Sequence, residues 1–419
     1  MPIDFSHLLR AFRHRSYRLF FLGQAVAITG TWMSIAGLGW LIFRLTGDSF
    51  MLGLMMFCRH APTFVLAPFG GLLVDHVSRR NVIMGAQIAD TLTISTLAYL
   101  TLSGRVEVWH VLTICVLLGV SKSFEMPARQ ALVVDIVEER EHLSNAIALN
   151  STLFHSARLT GPMIAGMFII PRYGEGGCFL VHALCYLLAI RCFAALHPRE
   201  PERPDASVSL FRKLKEGFDY AFGFPPVRAL LLLVTVFAFM GQSYNTLLPV
   251  FADEVFGGDA ATYGQLLAAG GFGAVISAVR LANRKSVLGL GRVIFLSILL
   301  FGLSLIAFSR ATYLPVALVL QVLAGMSGIN VMVGTNTIIQ TLVEDHLRGR
   351  VMSLMGMVFL GSMPLGSLAY GRAAAAVGAP LAVTCGAIGC ILAGPLFGSK
   401  LPTLREAARP VYQRRGILK

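Results

Sequence analysis

Five ionisable residues lie inside apolar stretches of the first half of the chain, where an unpaired charge is costly. They are Arg59, Asp90, Lys122, Glu125 and Arg158. A charged side chain at the centre of a lone membrane helix costs about 2.5–3.5 kcal/mol, so this set of five left unpaired would cost on the order of 12–18 kcal/mol. That sum is comparable with the whole stability of a domain. The charges must therefore pair or face water, and such groups can bind an ion or carry a proton.

Lys122 and Glu125 are three residues apart on one predicted helix, so they share a face. Two interpretations remain open. The two side chains form a salt bridge that neutralises itself, or Glu125 carries a coupling proton. In the second case burial would disfavour the Glu125 charge and Lys122 would favour it, so protonation would follow the direction in which a cavity opens.

Arg59 and Asp90 lie on neighbouring predicted helices and could pair inside the first half. We interpret Asp90 first as structural and second as a proton-coupling residue. Arg59, beside His60, is a candidate for substrate binding. Arg158 follows His155 by one turn and is a candidate either for binding or for locking helices together. The excess of positive charge predicts an anionic or metal-chelating substrate.

The second half has neutral polar side chains in place of the charges. Gln242, Tyr244 and Asn245 lie on its first predicted helix, and Asn330, Thr335 and Asn336 lie on its fourth. The candidate substrate-binding residues, taken from both halves, are Arg59, Lys122, Arg158, Gln242, Asn245 and Asn336.

Long apolar stretches must position these side chains. Hydrophobic residues make up 55% of the 419 positions and charged residues 14%, and the mean hydropathy is +0.70. A bilayer core about 30 Å thick needs about 20 apolar residues per helix, and helices satisfy their own backbone in lipid. The predicted spans are 19–43, 50–74, 82–103, 109–128, 145–170 and 177–196, then 229–251, 262–283, 290–309, 313–337, 351–371 and 376–398.

The formal charge of +13 comes from basic residues concentrated in alternate loops. This is the positive-inside pattern, and it predicts that both termini lie in the cytoplasm. Attraction to anionic lipid headgroups explains these residues, so a nucleic-acid partner is not expected. The first apolar run has no small-residue cleavage site and is expected to remain as a helix rather than act as a signal peptide.

The halves are separated by a polar segment and resemble each other weakly. Residues 197–227 are rich in proline and charge, and their second half predicts a short amphipathic helix on the cytoplasmic face. Residues 136–150 align with 342–356 at an offset near half the chain length. We therefore expect an N-terminal bundle over 1–196 and a C-terminal bundle with a basic tail over 228–419. Internal repeats of this kind are typical of secondary transporters.

Cysteines predict neither disulfides nor a metal site. Six of the seven lie well within the predicted spans, and Cys178 lies at the edge of one. Cys178, Cys185 and Cys192 recur every seventh residue, which suits either a path for a soft metal ion or small residues packed along a helix seam. We favour packing, because no His or Cys cluster has ligand spacing. No metal or other cofactor is expected.

The loop GLLVDHVSRR at 71–80 resembles the signature of the major facilitator superfamily. In that signature Gly71 allows a close helix approach, Asp75 meets a helix N-terminus or an arginine, and Arg79 and Arg80 follow. The resemblance implies a contact that holds one bundle against the other and breaks when a cavity opens inward. The corresponding stretch 273–285 has Ser277 where the aspartate stands.

Three further stretches resemble one branch of that superfamily, the one containing enterobactin-type siderophore exporters and macrolide efflux proteins. They are FEMPARQALVVDIVEEREHLSNAIALN (124–150), SARLTGPMIAG (156–166) and LLPVFADEVFGG (247–258). Arg129 is part of the first and is assigned to gating with the loop signature. Gly161 and Pro162 resemble the antiporter motif, although a kink that serves packing alone is equally open. Gly161 and Gly166 are expected to pack on the other half.

The resemblance implies an all-α fold with twelve transmembrane helices in two six-helix bundles related by pseudo-two-fold symmetry. It also implies export of a small amphipathic anion, a siderophore or a drug, across the bacterial inner membrane by proton antiport with alternating access. The expected partners are this substrate, protons and membrane lipids, and a monomer is expected. The alternatives are a facilitator or lysophospholipid flippase of the same fold, and a non-transporting scaffold or sensor. An enzyme is disfavoured, because no nucleophile elbow or phosphate loop is present.

Overall fold

The computed structural model describes residue 12 and residues 15–136, 140–196, 210–284 and 286–414. Within these ranges the chain consists of helices joined by short turns and loops. The all-helical prediction is therefore confirmed.

The described part of the first half contains six α-helices. Their bounds are α1 Arg15–Thr46, α2 Ser49–His76, α3 Arg79–Leu102, α4 Val108–Ile136, α5 Arg140–Ile164 and α6 Ile170–Ala194. A π-helical turn over Ala165–Ile169 joins α5 to α6. The chain leaves helical geometry at Gly174, whose φ of 66° only glycine adopts without strain.

The second half begins with α7, Leu210–Gly223, at the place where an amphipathic helix is predicted. The next helix, α8, is regular over Pro225–Val236 and then irregular. It passes through a π turn (Phe237–Gly241), a 3₁₀ segment (Gln242–Leu247), a short α segment (Leu248–Val250) and a second π turn (Phe251–Val255). The remaining helices are α9 Ala260–Ala282, α10 Leu290–Arg310, α11 Leu314–Leu342, α12 Asp345–Val377 and α13 Ala379–Arg414.

Ten helical stretches of the described residues are long and apolar enough to cross a membrane, judged by length and composition. One of them, Ser156–Ala194, contains the Gly174 break and so covers two predicted spans. The predicted span 82–103 forms α3, but α3 is not among the ten. It carries Gln87 and Asp90 in its middle, which lowers its hydropathy. The chain is a multi-pass membrane protein.

The described residues form two compact units. The first unit comprises the described residues of 1–47, 58–205 and 258–268. The second comprises those of 48–57, 206–257 and 269–419. In the first unit, Tyr17, Phe20, Tyr186 and Phe193 are among the fully buried residues of the core. The predicted domain boundaries remain predictions.

The helices α1 and α6 meet along a seam of small residues. A Cβ added at each facing glycine of α1 would lie closer to a cysteine Cβ of α6 than an ordinary van der Waals contact allows. This seam confirms packing as the role of the seven-residue cysteine repeat. The pairs and distances are Gly23 with Cys192 at 3.1 Å, Gly30 with Cys185 at 2.9 Å, and Gly37 with Cys178 at 3.2 Å.

Candidate functional site

The structure brings Lys122 together with two buried carboxylates of the first unit, those of Asp90 and Glu125. Lys122 Nζ donates a hydrogen bond to Glu125 Oε2 and lies 3.7 Å from Asp90 Oδ2. It also donates to the hydroxyl of Tyr186 at 2.7 Å. The three-residue spacing on α4 places Lys122 and Glu125 side by side, while α3 and α6 supply the other two partners.

Burial differs sharply among these charges. The Glu125 side chain is 0% exposed and Asp90 is 1% exposed, whereas the Lys122 side chain is 21% exposed. Gln87 Nε2 donates to Glu125 Oε1 at 3.3 Å. Buried charges need such partners, because an unpaired ion in a dry interior is costly. Lys122 is thus the member of the cluster that solvent or a ligand reaches first.

The cluster extends to α1 through hydroxyl groups. Tyr186 OH lies 3.1 Å from Thr31 Oγ1, and that oxygen lies 3.4 Å from His182 Nε2. Thr31, Gln87, His182 and Tyr186 were missed as site residues by sequence reasoning. The signal that could have found them is the same as for the charges, namely polar side chains within apolar stretches.

Arg59 is buried on α2, with 6% of its surface exposed. Its NH1 atom makes no hydrogen bond in the described structure. The ion pair that the structure shows for Asp90 is with Lys122, so the suggested Arg59–Asp90 pair is not formed. The helix α2 packs closely on α4 here, and Thr63 Oγ1 donates to the Gly119 carbonyl at 3.0 Å.

Arg158 stacks over the ring of Trp32, with 5.6 Å between its Cζ and the ring centroid. A Cβ added at Gly161 would lie 2.6 Å from Trp32 Cβ, so Gly161 packs on α1. The expectation that Gly161 faces the other half is therefore wrong. Arg158 and Gly161 of α5 therefore both contact Trp32 of α1, within the first unit. The side chain of His155 lies outside the described residues.

Gly166 does meet a helix from the second half of the sequence. A Cβ added there would lie 2.6 Å from the Cα of Gly264 on α9, within the first unit. In the second unit, a Cβ added at Gly53 of α2 would lie 3.2 Å from the Cα of Gly371 on α12. Pro162 lies inside α5, one turn before the π turn that carries Gly166. Two glycine pairs thus allow backbones of different sequence halves to touch.

The basic residues of the loop signature bind neighbouring helix ends. Arg79 bonds the Asp135 carboxylate and donates to the Ala131 carbonyl at 3.2 Å, both on α4. Burial raises the pKa of the Asp135 carboxyl, although its hydrogen bond with Arg79 opposes this. Arg80 donates to the last carbonyls of α6, those of Phe193 at 3.0 Å and Ala194 at 2.6 Å.

The other gating candidates are partly described. Arg129 NH1 donates to Gln24 Oε1 of α1 at 3.1 Å. The surroundings of Gly71 and the side chain of Asp75 lie outside the described part of the structure, so their predicted contacts stay predictions. Ser277, at the position corresponding to the aspartate, donates to Asn330 Oδ1 at 2.6 Å.

The neutral candidates of the second half lie in the second unit. Gln242 and Asn245 sit on the 3₁₀ segment of α8, and Asn245 Nδ2 donates to the Gln242 carbonyl at 2.8 Å. Tyr244 donates to Gln321 Oε1 at 2.6 Å. Asn336 accepts from Gln340 on α11 at 2.5 Å. Irregular helix turns of this kind are frequent at functional sites.

Comparisons with known proteins agree with this architecture. A staphyloferrin A transporter of Staphylococcus aureus is 26% identical over 354 residues, which cover 84% of this chain and 87% of the relative. The multidrug efflux pump Tap of Mycolicibacterium fortuitum is 23% identical over 396 residues, 93% and 96% of the two chains. A mutant of the nucleoside transporter NupG shares the fold, with a TM-score of 0.75 and 10% identity over 92% of this chain and 100% of that one.

These relatives and this fold are those of transporters and not of enzymes. They support the predicted resemblance to siderophore and drug exporters. The model of the transmembrane secretion effector family matches residues 7–413, so the chain belongs to that family of the major facilitator superfamily.

Proposed function

We propose that this protein exports a small amphipathic anion across the bacterial inner membrane by proton antiport with alternating access. In this proposal twelve helices span the membrane as two six-helix bundles, with both termini in the cytoplasm. The observation that carries it is the contact of one partly exposed lysine, Lys122, with two buried carboxylates, Asp90 and Glu125.

Glu125 is suited to carry the proton. It is fully buried, and its charged form depends on Lys122 and on the Gln87 amide. Any movement that takes Lys122 away leaves a buried carboxylate without its cation, and such a group takes up a proton. Because Lys122 alone of the three charges is appreciably exposed, access to the cavity and protonation of Glu125 are linked through it.

Positive charge in the first unit favours an anionic cargo. Arg59, Lys122, Arg129 and Arg158 outnumber the carboxylates of Asp90 and Glu125. Arg59 NH1 has no hydrogen-bond partner there. The relative named as a staphyloferrin A transporter is consistent with a siderophore as cargo. Gln242, Asn245 and Asn336 would supply neutral hydrogen bonds from the second half.

The glycine pairs Gly166–Gly264 and Gly53–Gly371 support alternating access. Each lets helices of different sequence halves touch through backbone atoms, with no side chain interlocked between them. Such contacts can separate and re-form without repacking large side chains. In the proposed topology both pairs lie toward the outer membrane face.

The test uses inside-out membrane vesicles that contain the protein. Staphyloferrin A, the cargo named for the relative, should accumulate when the vesicle interior is acidified, and a protonophore should abolish accumulation. Vesicles that carry Glu125→Gln at equal protein level are the matched control. Accumulation that is the same with and without the pH gradient would rule out antiport and leave a facilitator.

A second candidate cargo is a lipophilic drug, favoured by the likeness to the efflux pump Tap over 93% of this chain. The same vesicles distinguish the two cargoes, because the drug should compete with staphyloferrin A only if both use one site. A flippase would instead move lysophospholipid between leaflets in this assay without a pH gradient.

A further inference from the structure

A cavity in the second unit is separate from all the site residues named above. It has a volume of about 370 Å³ and lies among the ends of α8, α10, α11 and α13. Its walls include Leu230, Ile338, Phe397 and Leu401. Ligand cavities commonly measure about 300–1,000 Å³ and are mostly apolar, so this one has the size and the surface to hold a hydrocarbon chain.

Two arginines mark the rim of the same cavity. Arg405 and Arg409 line it one helical turn apart on α13, and both are exposed. Neither guanidinium takes part in an ion pair with another described residue. Glu406 also lines the cavity and reduces the net charge of its lining to +1. A cationic rim above an apolar interior matches a molecule with an anionic head and an apolar tail.

The position of the cavity identifies the source of such a molecule. α13 runs over Ala379–Arg414, well beyond the predicted span 376–398, so Arg405 and Arg409 lie past its end. In the proposed topology this end faces the cytoplasm, where the leaflet is rich in anionic lipid. Basic pockets between membrane helices on this side bind lipid headgroups.

We propose that this cavity binds an anionic phospholipid of the cytoplasmic leaflet. One acyl chain lies against Leu230, Ile338 and Phe397, and the phosphate lies between Arg405 and Arg409. Residues 415–419 are a poorer occupant, because they carry Arg415 and Lys419 and no acidic residue. Two like charges at the rim would repel it. This lipid site goes beyond the proposed transport function and rests only on the membrane topology proposed with it.

The test uses the purified full-length protein after exhaustive delipidation. Phosphatidylglycerol and phosphatidylcholine with identical acyl chains are titrated in turn, and bound lipid is counted by native mass spectrometry. Phosphatidylglycerol should bind and raise the unfolding temperature more than phosphatidylcholine. Since each basic residue near anionic lipid contributes about a fivefold factor, Arg405→Gln with Arg409→Gln should weaken binding roughly 30-fold.

The matched control removes two cations of the same membrane end that do not line the cavity, through Arg228→Gln with Lys400→Gln. It should leave phosphatidylglycerol binding within about threefold, well inside one factor of ten in affinity. A second variant, Gly291→Leu, keeps all charges but fills the cavity, because a Cβ there would lie 2.8 Å from Leu401 Cδ2 and push that side chain inward. It too should lose the bound lipid.

Four results would overturn the proposal. The first is equal binding of the two lipids, and the second is an equal loss in the control variant. The third is an equal rise in the unfolding temperature with inorganic phosphate alone, which would make this a phosphate site. The fourth is a tenfold gain in lipid binding after deletion of residues 415–419, which would make the tail the occupant.

Discussion

The ammonium group of Lys122 joins α4 to α6 by its 2.7 Å hydrogen bond to the hydroxyl of Tyr186. Since Tyr186 OH lies 3.1 Å from Thr31 Oγ1, a single lysine connects three helices at the level of the two carboxylates. Moving Lys122 therefore changes the packing of the first unit and the charge balance of Glu125 together. The first two predictions below test this coupling of position and charge.

Lys122→Met should destabilise the protein strongly, because it leaves two buried carboxylates without their cation. Breaking a buried pair from one side costs about 3–5 kcal/mol. The double variant Lys122→Met with Glu125→Gln should recover part of the loss. Unfolding of all variants in one detergent measures both, as a double-mutant cycle. A double variant whose loss of stability equals the sum of the losses in Lys122→Met and Glu125→Gln would show that the pair contributes nothing.

Glu125→Gln should remove the dependence of transport on the pH gradient while cargo exchange continues, because glutamine carries no titrating proton. The matched control is Asp90→Asn, which removes the same charge from the same cluster and should keep gradient-driven transport. Uptake into vesicles with and without an imposed gradient measures the effect. The opposite pattern, with coupling lost only in Asp90→Asn, would assign the proton to Asp90.

Arg59→Ala should reduce transport of an anionic cargo by roughly tenfold or more while membrane insertion stays normal, because hydrogen bonds to a charged group are worth about 1.5–3 kcal/mol. Arg59→Lys keeps the charge and should retain part of the activity. Vesicle uptake normalised to protein in the membrane is the measurement. If Arg59→Ala transports at the normal rate, Arg59 is not a cargo residue.

Cysteines placed at Gly166 and Gly264 should form a disulfide in a variant free of native cysteines. A Cβ at Gly166 would lie 2.6 Å from the Gly264 Cα, so the two helices must separate slightly before the cysteine Cβ atoms reach the separation of about 3.5–4.5 Å found in a disulfide. The cross-link should stop transport, and reduction should restore it. The control pair uses Gly85 and Gly356, where an added Cβ meets nothing within 4 Å. Full transport in the cross-linked protein would contradict alternating access through this contact.

Gly30→Ala should destabilise the α1–α6 seam by about 1–3 kcal/mol through overpacking, since its Cβ would lie 2.9 Å from Cys185 Cβ. Gly85→Ala, at an open helix position, should be neutral or slightly stabilising. Adding Cys185→Gly to Gly30→Ala moves the small residue to the other helix and should restore part of the stability. Thermal unfolding measures all three. Equal losses at Gly30 and Gly85 would show that the seam is not tightly packed.

Local patterns predicted what depends on local physics. Apolar stretches of the right length predicted the helices, and the spacing of Lys122 and Glu125 predicted their contact. The partner Tyr186 lies 64 residues further along the chain, and no pattern near Lys122 indicates it. The partner of Asp90 also depends on how α2, α3 and α4 pack, because both Arg59 and Lys122 lie on helices next to α3 in the sequence.

Gly161 and Gly166 show that two glycines of one motif need not share a helix face. Both belong to one motif, yet Gly161 packs on α1 and Gly166 on α9. Gly166 lies in the π turn Ala165–Ile169, which follows regular helix. A wider turn rotates the residues after it relative to the 3.6-residue period. The expectation of one common face was already wrong for a regular helix, because positions five residues apart lie about 140° apart at 3.6 residues per turn.

The alternation of turn types in α8 changes which residues share a helix face over a longer stretch. Tight and wide turns advance each residue by different angles about the axis, so Gln242 and Asn245 lie out of phase with the residues on either side of Phe237–Val255. A scanning mutagenesis profile plotted on one helical wheel would scatter cargo-facing and lipid-facing positions at random beyond Val236. Plotted segment by segment, the same profile would resolve into coherent stripes.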